Sequence, residues 1–327
     1  MGSTRAAVVV TLLVALTACA TAGPPVPPWK AALGRDHPLT GRVWDVGAAA
    51  FIEPHQLLAR LATARFVLLG EKHDNPDHHR LQAWIVRELL AAGRRPAVAF
   101  EMLSDAQADA LRRHLAAAPT DAAGLGPAVD WVRTGWPDWE HYRPIAETAL
   151  RAGVPVLPAN IAPATARAVA RSDLGALDPA LITRYGLDRP LPAASADSLA
   201  AELRGAHCGH APDAMIAGMA VAQRARDARM AESLVAGGAH DGAILIAGAG
   251  HVRNDRGVPT FLAVREPASR VASVAFLEVQ PSLATPHAHA ARSDERLPFD
   301  YVWFTPRVDD EDACDRFRRT LERLRRR

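Results

Sequence analysis

Short apolar runs alternate with stretches of helical period along most of this chain. The run Phe66 to Leu69 is too brief for a helix and predicts a strand buried on both faces. Asn75-Pro76 then reads as the N-cap and first position of a helix carrying Leu81, Ile85 and Leu89 as far as Gly93. The pattern repeats. PAVAFEM, starting at Pro96, predicts a second strand ending on Glu101, and Ser104 with Gln107 forms a capping box ahead of a helix bearing Leu111 and Leu115. A helix from Ile145 to Arg151 leads into VPVLPAN, a third strand ending on Asn160, and AILIAGAGH from Ala243 to His251 is the fourth. Before these, residues 41–52 predict a short strand or hairpin, and Glu53-Pro54 starts a helix through Leu57, Leu58 and Leu61. After them, residues 271–279 alternate as a strand, residues 301–304 predict an edge strand, and residues 309–327 predict a charged, solvated helix. Residues 161–238 read as mostly helical, broken by a proline-punctuated region around Tyr185-Gly186 and Pro190 to Pro192, with Met215, Met219, Ala222, Met230 and Leu234 along the core side of the longest helix. The expected fold is therefore α/β: three layers, a mainly parallel or mixed central sheet flanked by helices, and a helical insertion.

The first residues carry an address. Arg5 precedes an apolar run from Ala6 to Leu16, too short to span a bilayer, and the run ends in Leu16-Thr17-Ala18-Cys19. This matches a lipobox, so residues 1–18 are expected to be a lipoprotein signal peptide and Cys19 the lipidation site, carrying acyl chains such as palmitate. Residues 19–40, rich in proline, then read as a tether. The domain is expected over residues 41–280, and residues 281–327 form a C-terminal extension. The expected location is the bacterial cell envelope, lipid-anchored and facing the periplasm or the exterior. In that oxidising compartment Cys208 and Cys314 are an even pair; a disulfide and two free thiols are both open. A formal net charge of +2 gives no reason to expect a nucleic-acid partner. Lys30 and Lys72 are the only lysines, which puts Lys72 in an unusual position beside the first strand end.

Three well-separated strands each end on an acid or imidazole: Glu71 with His73, then Glu101, then His251. In a parallel sheet such ends meet at one edge, where α/β proteins place their ligands and catalytic groups. Two chemistries suit the set. Glu71, His73, His79, Glu101 and His251 offer oxygen and nitrogen ligands for a divalent metal such as Zn, Mn or Co. Alternatively Glu71, His73, Glu101 and His251 act without metal, a carboxylate raising the basicity of an imidazole. His78 and His79, in the first helical turn after the strand, are either exposed helix residues or further ligands. Trp131, Trp136 and Trp139 read as packing or as a flat apolar wall.

The motifs GEKHDNPDHHRLQ, AFEM, WPDWEHYR, QRARDARMA and GAGHVRNDRGVP, in this order and behind a lipobox, resemble the ChaN-like haem-binding uptake lipoproteins of the Tiki, TraB and erythromycin-esterase superfamily. The likeness runs from about Val43 to Glu278, and FDYVWFTPR resembles the tail of many members. It implies a membrane-anchored haem-binding protein in haem and iron uptake, a homodimer holding haem between subunits, and a tyrosinate on the iron. Candidate haem ligands are Tyr142, Tyr185, His207 and His210, with Arg224, Arg226 and Arg253 for the propionates. The enzymatic relatives imply the alternative, a metal-dependent or Glu/His-dependent peptidase or esterase using Glu71, His73, Glu101 and His251.

Overall fold

The computed structural model describes residues 23–171, 174–290 and 296–312, together with 314–316, 318, 319 and 322. Cys19 and the signal peptide lie outside the described residues, as does part of the terminal helix expected over residues 309–327.

A hairpin, β1 (Val43–Asp45) and β2 (Ala50–Ile52), leads through α1 (Pro54–Leu61) to β3 (Phe66–Glu71). Then follow α2 (Pro76–Ala91), β4 (Ala97–Ser104), α3 (Ala108–Ala117), α4 (Ala122–Ala128), α5 (Trp139–Arg151) and β5 (Val156–Asn160). The helical insertion holds α6 (Pro163–Ala170), α7 (Pro179–Tyr185), α8 (Ala193–Ala206) and α9 (Asp213–Gly237). The chain closes with β6 (Ala243–Gly248), α10 (Val258–Arg265), β7 (Val271–Glu278) and β8 (Tyr301–Thr305). The strands form one sheet in the order β2-β1-β8-β7-β3-β6-β4-β5. All pairings from β8 to β5 are parallel, while β1 is antiparallel to both β2 and β8.

The unbroken apolar runs follow from the layering. Val67, Leu69, Val98, Phe100, Ile244 and Ile246 point to one face, where they pack with Leu57, Trp84, Ile85 and Ile145 of α1, α2 and α5. Phe66, Leu68, Ala99 and Leu245 point to the other, against Val169, Ala225, Leu234 and Leu262 of α6, α9 and α10. A strand covered on both sides has no solvent face to make polar, so alternation disappears. Gly70 is needed for closeness: a Cβ there would stand 2.3 Å from Val252 Cγ2 and 2.9 Å from the Ala249 backbone. Gly70 therefore lets the turn after β6 sit directly on β3.

Two expectations are corrected. Residues 301–304 are not an edge strand: β8 lies between β7 and β1, and all five of its residues are buried. The tryptophan-rich segment contributes helix earlier than its period indicates, because Asp138 caps the start of α5 by accepting from the Glu140 N–H.

The proline-rich stretch, from residue 23 onward, is packed along the domain. Trp84 Nε1 donates to the Pro25 carbonyl at 2.9 Å. The buried carboxylate of Asp77 accepts from the Lys30 and Ala31 N–H groups at 2.7 and 2.9 Å. Cys208 and Cys314 form a disulfide with Cα atoms 5.4 Å apart, tying the C-terminal segment to the turn between α8 and α9. Among the described residues no helix is long and apolar enough to cross a membrane.

Candidate functional site

β3, β6 and β4 run side by side and in parallel, with Glu71 in register with Gly248, so their carboxyl ends share one edge. That edge is polar and closed. Glu71 and Glu101 are almost completely buried, as are His79 and His251, while the side chain of His73 is 34% exposed.

Glu71 is the hub of the first group. Its Oε1 accepts from the Tyr142 hydroxyl at 2.9 Å and pairs with His73 Nδ1 at 2.9 Å. Its Oε2 lies 3.0 Å from His79 Nδ1, and His79 Nε2 donates to the His73 carbonyl at 2.9 Å. Burial acts to raise the Glu71 pKa, but the neighbouring imidazoles of His79 and His73 overcome it and hold the carboxyl well below its usual range. Burial opposes protonation of His73 and His79, yet Glu71 brings both above the ordinary histidine value. The ring of His79 also packs on Tyr142, and Trp136 meets His73 edge-on with centroids 4.8 Å apart at the mouth.

The second group is centred on His251. Its Nε2 lies 3.2 Å from Glu101 Oε1 and its Nδ1 2.6 Å from Asp227 Oδ1, which arrives from the middle of α9. Glu101 Oε2 accepts from the Gly248 N–H at 2.7 Å. Burial works against a charged His251, and the Glu101 and Asp227 carboxylates outweigh it, raising the pKa to about 10. Glu101 is correspondingly lowered to about 2: burial would raise it, but His251, His73 and the Gly248 N–H prevail. Asp227 is pushed up to about 6, chiefly by burial, with His251 opposing and Glu101 adding to the rise. Gly248 joins the two groups. A Cβ on it would meet His73 Nε2 at 3.0 Å, so the bare backbone lets His73 lie between the two carboxylates.

The expected convergence of Glu71, His73, Glu101 and His251 is thus present, with His79 beside them. The metal arrangement is not. Among the described residues no three or more His, Cys, Asp or Glu side chains are set out to hold an ion. The physical reason is that both nitrogens of His251 are spent on the Glu101 and Asp227 carboxylates and His79 Nε2 on the His73 carbonyl, while Glu71 and Glu101 favour protonated imidazoles over free lone pairs. His78 is fully buried but structural: Lys72 N–H donates to its Nδ1, its Nε2 bonds Thr305, and burial keeps it neutral. Lys72 itself bridges Asp74 and Glu278.

The four expected haem ligands are dispersed. Tyr142 lies against Glu71; Tyr185 donates to Glu232 at 2.8 Å; His207 and His210 flank the disulfide in the turn between α8 and α9. Burial, reinforced by the adjacent carboxylate, raises the pKa of both tyrosines, so each is a neutral phenol. Arg253 lines a different feature. A cavity of about 790 Å³ opens from Ala249 and Gly250, immediately beyond β6, and runs past Leu277, His289 and Phe299. A neighbouring cavity of about 380 Å³ reaches Glu71, and the two share Ala249, Leu277 and His289 in their walls.

Asp227 and His289 were not legible as site residues. The available signal for Asp227 was a lone acid on the apolar side of α9, one turn from Met230 and Ala231.

A mixed α/β sheet with buried acid and imidazole pairs at the carboxyl edge of its central strands defines the class. The family described as haem-binding uptake, Tiki superfamily, ChaN matches residues 57–262, and the chain belongs to it. No curated protein sequence matches significantly. Among solved structures, ChaN of Campylobacter jejuni, described with cofacial haem binding, shares the fold at 19% identity and a TM-score of 0.58, covering 80% of this chain and 95% of its own. The type III effector HopBA1 is similar at 14% identity and a TM-score of 0.44, over 76% of this chain and 91% of the effector. The erythromycin esterase EreC aligns at 15% identity and a TM-score of 0.38, over 75% of this chain and 77% of the esterase.

Proposed function

We propose that this chain is a haem-binding protein of the ChaN family, lipid-anchored at Cys19 in the cell envelope and acting in haem and iron uptake. Family membership supports the ligand, and the observation that carries it is the 790 Å³ cavity. Its volume falls within the roughly 300–1,000 Å³ typical of cofactor sites. The residues fit a haem: Leu277, Leu297, Pro298 and Phe299 offer an apolar wall, and the exposed Arg296 at its edge stands ready for a propionate. Bound haem supplies an iron centre; the chain's own residues shield its faces from water and fix its orientation. The lipid anchor and a homodimer are part of this reading. The test is a haemin titration of the chain starting at Cys19. A shifted Soret band saturating at micromolar haemin is expected, and an unshifted band refutes the reading.

A second reading is favoured by one specific observation, the partly exposed His73 backed by the anionic Glu71 at 2.9 Å. That pair has the form of a general base with its orienting carboxylate, able to activate water against an ester or peptide without metal. His251, held between Glu101 and Asp227, supplies a fixed positive charge nearby.

A further inference from the structure

Resting on the haem and envelope reading, we propose that the Cys208–Cys314 disulfide is a redox clamp on the 790 Å³ cavity, which is a tight haem site only in the oxidised chain. The cavity has two walls of unequal firmness. One is the sheet edge at Leu277 of β7, a strand paired on both sides by β3 and β8. The other is α8, which contributes Ala194, Ser195, Ser198 and Glu202.

Helix α8 is lightly held. Of its 14 residues only Leu199 is buried, whereas α9 beside it buries ten. Its side chains otherwise reach the body through polar contacts. Ser195 Oγ donates to the Asp255 carbonyl at 3.0 Å, and Arg256 donates to Ser198 Oγ at 2.6 Å and pairs with Glu202. Such contacts replace contacts with water and stabilise less than apolar burial does, so a helix fixed in this way has low local stability. The turn that follows α8 also carries a strain: Cys208 stands at φ +54°, a left-handed backbone disfavoured for a residue with a side chain. Such a conformation persists where its surroundings hold it, and here a covalent bond does so.

That bond joins the light wall to the firm one. Beyond β8 the chain stays on the sheet side: the Val308 N–H donates to Glu278 Oε1 at 3.1 Å at the end of β7, and Arg316 lies 3.7 Å from Asp74 in the loop after β3. Glu278 and Leu277 line the neighbouring 380 Å³ cavity, and Leu277 lines both. Cys314 therefore belongs to the sheet side and Cys208 to the end of α8, with 106 residues between them in sequence. A cross-link over so long a separation removes much of the freedom of a loosened chain. Both cysteines are half-buried, within reach of a partner thiol. On closure two S–H bonds break and one S–S bond forms; the two protons and two electrons pass to the disulfide of an envelope thiol oxidase, which becomes a dithiol. In the reducing cytoplasm the wall is unclamped, so the chain acquires its tight haem site only after export and oxidation.

The experiment compares the full mature chain with its Cys208→Ser/Cys314→Ser double variant, so that no reductant touches the iron. Haemin is titrated by Soret absorbance, and amide hydrogen exchange of the haem-free proteins is read by mass spectrometry. The double variant is expected to bind haemin about tenfold or more weakly and to lose protection in α8, with β3 and β6 protected as in the wild type. Dithiothreitol added to the haem-free wild type should reproduce the loss in α8, and reoxidation should reverse it. Equal haemin affinity, or equal α8 protection, overturns the clamp and leaves the haem reading standing. Protection lost in β3 and β6 as well also overturns it, because the disulfide then holds the whole fold and not one wall. A wild type that takes up no haemin overturns both.

Discussion

Replacing Asp227 by Asn tests whether His251 is held as a buried cation. The wild-type imidazole is clasped by two carboxylates, with Asp227 at 2.6 Å and Glu101 at 3.2 Å. Its pKa of about 10 lies above the ordinary 6.5, and one unit is worth about 1.4 kcal/mol, so the clasp amounts to about 5 kcal/mol. Losing one close opposite charge lowers a pKa by about 1–3 units, equivalent to about 1–4 kcal/mol. The sign follows from proton linkage. A histidine raised on folding contributes its full stability below about pH 6.5 and loses it, at about 1.4 kcal/mol per unit, as pH climbs toward 10. In Asp227→Asn the decline ends at a lower pH, so the two stability curves converge toward pH 10. Below about pH 6 the raised Asp227 takes up a proton in the folded wild type, a gain in stability that Asn cannot make, so the curves move apart there. The gap therefore narrows as pH rises, smallest near pH 10. The assay is an NMR titration of the His251 Cε1–H in both proteins, paired with urea unfolding at pH 5, 7 and about 9.5. An unchanged His251 midpoint, or a stability gap that does not vary with pH, refutes the reasoning.

Two further outcomes are expected. If the second reading holds, the mature chain hydrolyses p-nitrophenyl butyrate faster than free imidazole does, and His73→Ala lowers the rate by about 10²–10⁴-fold, the usual worth of a general base; turnover equal in both proteins removes that reading. Asp77→Ala strips the acceptor from the Lys30 and Ala31 N–H groups, a loss of about 1.5–3 kcal/mol for a charged hydrogen bond, so trypsin should cut at Lys30 or Arg35 about tenfold or more faster; an unchanged cleavage rate shows that the stretch is held by other contacts.

The central sheet was readable because β3, β4 and β6 are covered on both faces and so announce themselves as short unbroken apolar runs. Each also carries the group that enters the site at or within three residues of its carboxyl end, which made Glu71, Glu101 and His251 visible together. Helix α9 gave a weaker signal. Its buried Asp227 sits in a segment crowded with Arg224, Arg226 and Arg229, where an acid reads as one more surface charge. Only the three-dimensional approach of α9 to the turn after β6 makes it a partner for His251. The strand at residues 301–305 was legible as a strand but not as an interior one, because position within a sheet depends on which neighbours arrive from elsewhere, here β1 from the far end of the chain. His289 lies among prolines and alanines with no period, and nothing local marks it as part of a cavity wall. The proline-rich stretch looked like a spacer by composition, yet two backbone N–H groups captured by the buried Asp77 carboxylate, together with Trp84 Nε1 on the Pro25 carbonyl, dock it.

The place of β6 between β3 and β4 has a consequence for biogenesis. β3 and β4 are made early, but the strand that separates them is synthesised more than a hundred residues later. Until then each has an unfilled edge, and joining them to each other would put the wrong neighbours in contact. High sequence separation of this kind slows folding and exposes strand edges to aggregation. A nascent chain interrupted before residue 248 is therefore expected to be a substrate for chaperones and proteases, not a smaller folded protein.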